Sequence, residues 1–260
     1  MTWSAASHYD QIASPNGSKS IALKDRANGP LIEMKRFHNG IKRKLINSYA
    51  REALSYLDVC CGRGGDILKL TDAKVKWVHG IDISQMEIAE AKRRVCETRR
   101  GTVFTFEVSD AGSWQPSALY DVVSCMFALH YFFENEQSAR NIIHMIATSL
   151  KPGGVFIGCS PDACALQRFH ERAMESQHLT LTIESKWSAR RPYGNKYVFD
   201  LQDTVTSHGS VEYAVYFDTL VTLMKSEDMM LVDSNMFEPL KGMPGREVSE
   251  LFRWYVFCKK

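Results

Sequence analysis

Two stretches of the sequence carry residue types at a spacing that could do chemistry. Tyr56-Leu57-Asp58-Val59-Cys60-Cys61-Gly62-Arg63-Gly64-Gly65-Asp66 runs an apolar segment into a small-residue, glycine-rich turn. Asp82 closes a second apolar segment, Val75-Lys76-Trp77-Val78-His79-Gly80-Ile81-Asp82-Ile83. Glycines permit positive φ in a tight turn, and they let backbone N–H groups approach a bound molecule. A carboxylate at the tip of the next strand, ~20 residues on, is placed to accept from a ribose diol. The turn departs from G-x-G-x-x-G, because Cys60 and Gly62 take the first two glycine-like positions and Gly64-Gly65 follow directly. That departure disfavours a dinucleotide, whose pyrophosphate needs the helix N-terminus, and favours a nucleoside carrying no phosphate.

Alternating strands and helices must position these groups. Strands are expected over 53–60, 75–83, Thr102–Val108, Tyr120–Phe127 and Val155–Ser160. Between them, helices are expected from Asp66, from Ser84 to about Arg99, and over 134–150, with Lys151-Pro152-Gly153-Gly154 as a turn. Ser84 is the expected N-cap of its helix, with Glu87 three residues on. This alternation implies a Rossmann-like α/β fold, a mostly parallel sheet with helices on both faces. Ligands then bind outside the C-terminal strand ends, where Cys60, Asp82, Asp110 and Phe127 to Tyr131 fall. Among cofactors of the nucleoside kind, S-adenosylmethionine is the commonest.

The flanks complete this frame. Residues 1–29 form a polar arm, with Asn16-Gly17 as a turn and His8-Tyr9-Asp10 as its one distinctive cluster. Leu31, Met34, Phe37, Ile41, Leu45 and Ile46 predict an amphipathic helix over 30–51, broken at Asn39-Gly40. Residues 161–213 are expected as an insertion over the strand ends. It holds a helix over 162–176, strands at Leu179–Trp187 and Tyr197–Leu201, and a turn at Arg190–Asn195. A helix over Tyr216–Glu227 and strands at Met230–Phe237 and Leu251–Cys258 follow, the last two completing seven strands through an antiparallel hairpin.

Composition bounds the class. A chain of 260 residues, 45% hydrophobic, suits one domain with an insertion. Mean hydropathy is −0.24, and no run reaches the ~18 apolar residues of a membrane span. The N-terminus lacks a signal-peptide pattern. Seven cysteines without a C-x-x-C pair read as free thiols in a reducing compartment, with no metal site. Net charge is +2, so global charge does not announce nucleic acid. Lys35-Arg36, Lys42-Arg43-Lys44, Lys92-Arg93-Arg94, Arg99-Arg100 and Arg190-Arg191 each read as solvated faces, and a polyanion footprint would require them on one side of the fold.

From Phe37 to Lys260 the chain resembles the messenger-RNA cap guanine-N7 methyltransferases. Phe37-His38-Asn39-Gly40-Ile41-Lys42 resembles the family's F-N-N-W-x-K, and Leu57 to Asp66 resembles L-D-L-x-C-G-K-G-G-D. Gly80-Ile81-Asp82-Ile83, Phe127-Ala128-Leu129-His130-Tyr131 and Lys151 to Gly158 follow the family pattern, as do Tyr197 to Leu201, Val211-Glu212-Tyr213, Glu247 to Phe252 and Tyr255 to Lys259. The resemblance implies a class I S-adenosylmethionine-dependent fold, with residues 30–260 as a single methyltransferase domain.

It also implies site residues. For the cofactor, Lys42 would reach the methionine carboxylate, Cys60 and Gly62 would line the turn, and Asp82 would hold the ribose. Asp110 would take the adenine amino group, while Met126 and Tyr131 would flank the methionine part. For the cap, the set is His38, Asn39, Arg63, Lys69, Arg94, Phe127, His130, Glu212 and Phe252, with Tyr131 helping to wall the guanine. Glu212 would read guanine's N1–H and N2–H₂ donors, and the cations would meet the 5′–5′ triphosphate. The chain departs from the family at Met126, where the family usually has Gln, at His38, where it has Asn, and at Phe252, where Tyr is common.

Guanine N7 already presents a lone pair, so the implied reaction needs no general acid, base or metal, only positioning by His130, Glu212 and Tyr131. The implied cofactor product is S-adenosylhomocysteine. GpppN-capped RNA is the implied partner, together with an activating subunit or a capping guanylyltransferase, and the catalytic domain is expected to be monomeric and free of the membrane. The expected location is the nucleus for a cellular enzyme and the cytoplasm for a viral one. Two other readings stand beside this one: a methyltransferase acting on a different small-molecule or protein acceptor, and a non-catalytic RNA-binding subunit of a capping complex.

Overall fold

The structure is a computed structural model that describes residues 29–98, 101–172, 176–183, 185–202 and 209–260. His8-Tyr9-Asp10, nearly all of the expected N-terminal arm, and Arg99-Arg100 lie outside the described residues. Among the described residues the first element is helix α1 (Ile32–Tyr49). There follow β1 (Ser55–Val59), α2 (Ile67–Asp72), β2 (Trp77–Asp82), α3 (Gln85–Cys96) and β3 (Val103–Val108). Next come β4 (Tyr120–Met126), a 3₁₀ turn (Leu129–Glu134), α4 (Glu136–Ser149) and β5 (Leu150–Pro161).

The main sheet has seven strands in the order β3-β2-β1-β4-β5-β10-β9, where β9 is Met229–Met236 and β10 is Phe252–Lys259. The first five run parallel, and β10 is antiparallel to both of its neighbours. The expected closing hairpin therefore forms. The order reverses between β1 and β4, which makes their C-terminal ends the switch-point crevice where such sheets take ligands. Register aligns those ends, with Val59 opposite both Ile81 and Cys125.

Burial explains the sheet. Leu57, Val59, Ile81 and Val123 pack under α4 and α6 (Phe217–Ser226) through Ile142, Ile146, Leu220 and Met224, all buried. On the opposite face Leu45 and Ile46 of α1 cover Tyr56, Val78, Val122 and Ile157. Each such side chain contributes ~1.5–3 kcal/mol on burial. Those anchors carry α1 straight through Asn39-Gly40, which corrects the expected break. An exposed glycine costs a helix only ~1 kcal/mol, and Asn39 donates its side-chain amide back to the Lys35 carbonyl at 2.9 Å. Lys151 to Gly154, expected as a turn, instead bulge within β5, where the register steps from Tyr120↔Leu150 to Val122↔Val155. Ser84 caps α3 as expected, its hydroxyl accepting from the Glu87 amide.

Residues after β5 form α5 (Ala163–Glu171) and a separate antiparallel sheet of β6 (Leu179–Thr182), β7 (Lys196–Leu201) and β8 (Ser210–Tyr213). The expected strand to Trp187 thus stops at Thr182. Trp187 is buried against Tyr197, with ring centroids 5.6 Å apart. A short helix α7 (Arg246–Ser249) precedes β10.

Candidate active site

Backbone strain marks the crevice. Cys60 (φ 57°) and Phe127 (φ 62°) sit just beyond the C-terminal ends of β1 and β4 in the left-handed region. A non-glycine residue there costs on the order of 1–3 kcal/mol, and such strain gathers at functional sites. Gly64 (φ 70°) closes the turn so tightly that a Cβ would lie 2.3 Å from Ile67 Cδ1.

Asp82 ties this turn to the neighbouring strand. Its Oδ2 accepts from the Gly62 amide at 2.8 Å and its Oδ1 from the Ser84 amide at 2.9 Å. Burial holds its carboxyl above the ordinary range against the Ser84, Gly62 and Ile83 amides. A carboxylate has about four acceptor positions, so room remains for a ribose hydroxyl. Asp110 is exposed past the end of β3, with Oδ1 taking the Gly112 amide at 2.9 Å. Lys42, on α1, donates to Asp66 Oδ2 at 2.7 Å and is nearly buried. Burial opposes its charge, but Asp66 more than offsets that and holds its pKa above the ordinary value. An ammonium has three donors, so Lys42 can take a ligand carboxylate as well. Cys60 is no nucleophile: a hydrogen bond with Cys125 and burial push its thiol far up. Met126 is half-buried, its sulfur 3.7 Å from Cys159 Sγ. Acceptors for a ribose hydroxyl and an amine, a donor for a carboxylate and a glycine turn between them fit an S-adenosylmethionine.

The second half of the site faces it from the 3₁₀ turn and β8. Glu212 is 3% exposed and His130 3%, with Nε2 and Oε2 3.4 Å apart. Neither ring nitrogen of His130 has a hydrogen-bond partner. An unpaired buried polar atom costs ~1–3 kcal/mol, so the ring is set for a partner brought by a ligand. Tyr197, directly opposite Glu212 in the β7–β8 ladder, donates its hydroxyl to Oε2 at 2.7 Å. Tyr131 reaches Ser210 Oγ at 3.2 Å, and its ring lies 4.3 Å from that of His130.

A third group adjoins both. His38 stacks on Phe127 at 5.5 Å and 15°, with Phe237 and Phe252 edge-on at 5.1 and 5.2 Å. Its Nε2 lies 2.9 Å from Ser249 Oγ. Ser249 donates to the Gly245 carbonyl at 3.2 Å, so towards His38 it accepts, and Nε2 carries the ring proton. Burial, then the Lys42 charge, lower the His38 pKa to about 3, so the ring is neutral. Lys42, one turn along α1, sits 5.9 Å from the Phe127 ring.

The structure therefore brings together Lys42, Cys60, Gly62, Asp82 and Phe127 around the crevice, and His130, Tyr131 and Glu212 beside it, with His38 and Phe252 packed on Phe127. Asp110 and Met126 lie past the end of β3 and at the end of β4, and the other expected residues are engaged within the chain. Asn39 is exposed and bonded along its own helix. Arg63 is forked onto Glu87 through Nε and Nη2. Lys69 is buried between Asp66 and the Gly65 carbonyl. Arg94 bonds Glu90 at 3.0 Å. Tyr197 and Ser249 escaped the sequence reading. The period-2 pattern Tyr197, Phe199, Leu201 could have placed Tyr197 on the inner face, but only the hairpin register sets it opposite Glu212.

Comparison with known proteins first gives the class. A methyltransferase (CcbJ) from Streptomyces caelestis superposes with a TM-score of 0.64 at 13% identity, over 99% of this chain and 100% of that one. A putative S-adenosylmethionine-dependent methyltransferase from Listeria monocytogenes does so at 0.61 and 20% identity, over 86% and 98%. The fold is that of a class I methyltransferase. The model of the mRNA (guanine-N(7))-methyltransferase domain matches residues 3–243, and the chain belongs to that family. The mRNA cap guanine-N(7) methyltransferase 1 of Oryza sativa subsp. japonica is 34% identical over 272 residues, covering 95% of this chain and 71% of the relative. The Schizosaccharomyces pombe cap methyltransferase is 31% identical over 245 residues, 87% and 66%. That of Saccharomyces cerevisiae is 30% identical over 265 residues, 91% and 60%. The chain thus spans about 60 to 71% of the length of these relatives.

Proposed function

We propose that this chain methylates N7 of the guanine in the 5′–5′ triphosphate cap of messenger RNA, with S-adenosylmethionine as methyl donor. The observation that carries this reading is the Tyr197–Glu212–His130 cluster beside the Asp82 turn. A buried carboxylate, held on Oε2 by the Tyr197 phenol with the Tyr131 hydroxyl 3.5 Å from Oε1, matches the adjacent N1–H and N2–H₂ donors of guanine, whereas adenine sets only one donor, N6–H₂, beside an acceptor N1 that the carboxylate repels. His130 and Tyr131 wall the base. Phe127 is the hinge between the halves, since its backbone ends β4 in the crevice and its ring meets His38.

When bound, the donor supplies a methyl already activated on a sulfonium. Guanine N7 has no proton to lose, so no side chain takes or gives one during transfer. The work of the protein is alignment, and fixed geometry of this kind is worth up to ~7–11 kcal/mol. Glu212 has a further role, since its negative charge faces a base that becomes cationic on N7 methylation. Arg63 would exchange its Glu87 contact for the triphosphate. Lys69 would do so only by leaving Asp66.

We read residues 30–260 as one methyltransferase unit, active in the nucleus of a cellular host or the cytoplasm for a viral one. Fractionation of the tagged protein decides the location. An activating subunit or a bound guanylyltransferase is a further expectation, tested by turnover of the purified chain alone against turnover with a capping extract. The reaction itself is tested with methyl-labelled donor and the dinucleotides GpppG and ApppA, the second of which carries no guanine. Label on GpppG alone supports the reading. Equal label on both removes guanine readout by Glu212, and label on neither, with donor bound, points to another acceptor.

A further inference from the structure

The arginines sort themselves by partner. Arg36, Arg43, Arg63, Arg93, Arg94, Arg140, Arg246 and Arg253 each contact a carboxylate within the chain. Among the described residues, Arg168, Arg172, Arg190 and Arg191 contact none, and apart from these only Arg51 is so placed. All four are exposed, and all four lie in the insertion. The C-terminal dipole of α5 favours the first two. Nothing in the fold accounts for Arg190 and Arg191, two adjacent guanidiniums without a counter-charge.

The segment that carries them is held by hydrogen bonds to the elements that position His130 and Glu212. Asn195, 8% exposed, donates to the Arg191 carbonyl at 2.7 Å and accepts from the Ser188 amide at 3.3 Å. The Arg191 amide closes onto the Ser188 carbonyl at 2.9 Å, and Gly194 donates to the Phe133 carbonyl at 3.0 Å. Phe133 belongs to the 3₁₀ turn that presents His130 and Tyr131. At the segment's other end Trp187 packs on Tyr197, the residue that holds Glu212. Trp187 and the exposed Lys186 also line a cleft of about 350 Å³ shared with Gln167, His170 and Glu171 of α5. The 186–191 segment therefore runs from a cleft shared with α5 to the elements that hold Glu212 and His130.

We propose that this segment binds the phosphates of the RNA chain 3′ to the cap, with Arg190 and Arg191 as its centre and the exposed Lys186 extending it. The proposal rests on the cap reading for its geometry but not for its chemistry, because preformed, unpaired guanidiniums bind any single-stranded phosphate backbone. Each phosphate contact adds about 0.7 to the slope of log K against log salt for single strands, or about fivefold in affinity at 0.1 M relative to 1 M.

The test uses the full chain and a fluorescent, uncapped oligouridylate of about fifteen nucleotides, with anisotropy read across a salt series. Arg190→Ala/Arg191→Ala should weaken binding by about 25-fold at 0.1 M salt and reduce the slope by about 1.4. Arg190→Lys/Arg191→Lys should restore most of the slope. Methyl transfer to the dinucleotide GpppG, which has no phosphate 3′ to its second nucleoside, should stay at the wild-type rate. Unchanged RNA affinity and slope in the alanine pair, or no RNA binding by the wild type, overturns the proposal. So does a loss on GpppG as large as that on RNA. If the wild type leaves GpppG unmethylated while the alanine pair still loses RNA, the phosphate proposal stands and the cap reading falls.

Discussion

Replacing Tyr197 by Phe removes one oxygen from a buried site and little else. That oxygen donates to Glu212 Oε2 at 2.7 Å, and both residues are buried, 1% and 3% exposed. The other described contacts of the carboxylate are His130 Nε2 at 3.4 Å from Oε2 and the Tyr131 hydroxyl at 3.5 Å from Oε1, both longer than a good hydrogen bond. Hydrogen bonds to a charged group are worth ~1.5–3 kcal/mol. If the carboxylate must keep its orientation to read guanine, the loss falls on the cap complex. kcat/KM for GpppG should then drop by roughly 10- to 150-fold. The dinucleotide IpppI lacks the 2-amino group on both bases, so its rate should fall less and the GpppG-to-IpppI preference should narrow. The assay is initial methyl transfer at limiting cap, alongside calorimetric binding of S-adenosylhomocysteine, whose affinity should not move. A kcat/KM for GpppG within twofold of wild type would refute the reasoning. A parallel loss of cofactor affinity would show a general packing defect instead.

Other expectations follow from the same geometry. Asp82→Asn should weaken S-adenosylhomocysteine by tens of fold in calorimetry, because charged acceptors leave both the turn amide of Gly62 and the ribose hydroxyl. His38 titrates at about 3 when folded against 6.5 when free, so its neutral ring gives stability in full above pH 6.5 and loses it as pH falls towards 3. His38→Asn should therefore show a shallower acid-side fall in denaturant melts between pH 6.5 and 4. Asp58, raised to about 7 by burial and the nearby Asp66 charge, works in the opposite sense. Its proton stabilises the fold fully below pH 3.8, and that contribution is lost as pH rises through 7. Melting temperatures of Asp58→Asn should depend less on pH between 4 and 7 than those of the wild type.

Much of this architecture could be read from the chain because its signals are local. Alternating apolar runs fixed the parallel strands, and Ser84 with Glu87 marked the start of α3. Asp82 stood out because a carboxylate ending a buried strand requires donors, and it has the Gly62 and Ser84 amides. The pairing of charges was not legible. Arg63–Glu87 and Lys42–Asp66 join groups 24 positions apart, and Lys69 is drawn into the same carboxylate by helix geometry. Three cations expected to face a triphosphate thus have internal partners, while Arg190-Arg191, read as a solvated turn, has none. Tyr197 was hidden for a similar reason, since its role depends on hairpin register rather than on its neighbours in sequence. Asn39-Gly40 misled because a local breaker lost to the burial of Met34, Leu45 and Ile46 on either side.

The central claim is that guanine N7 is the methyl acceptor, and the most direct measurement is the position of the new methyl group. GpppG-capped RNA would be methylated with labelled donor, digested with nuclease to its cap, and the labelled product treated with mild alkali. Methylation on N7 leaves a cationic imidazole ring that opens in alkali, so the label should move wholly into the ring-opened cap nucleoside. Label that stays with an alkali-stable cap, or that is recovered on a ribose or an internal nucleotide, would contradict the account.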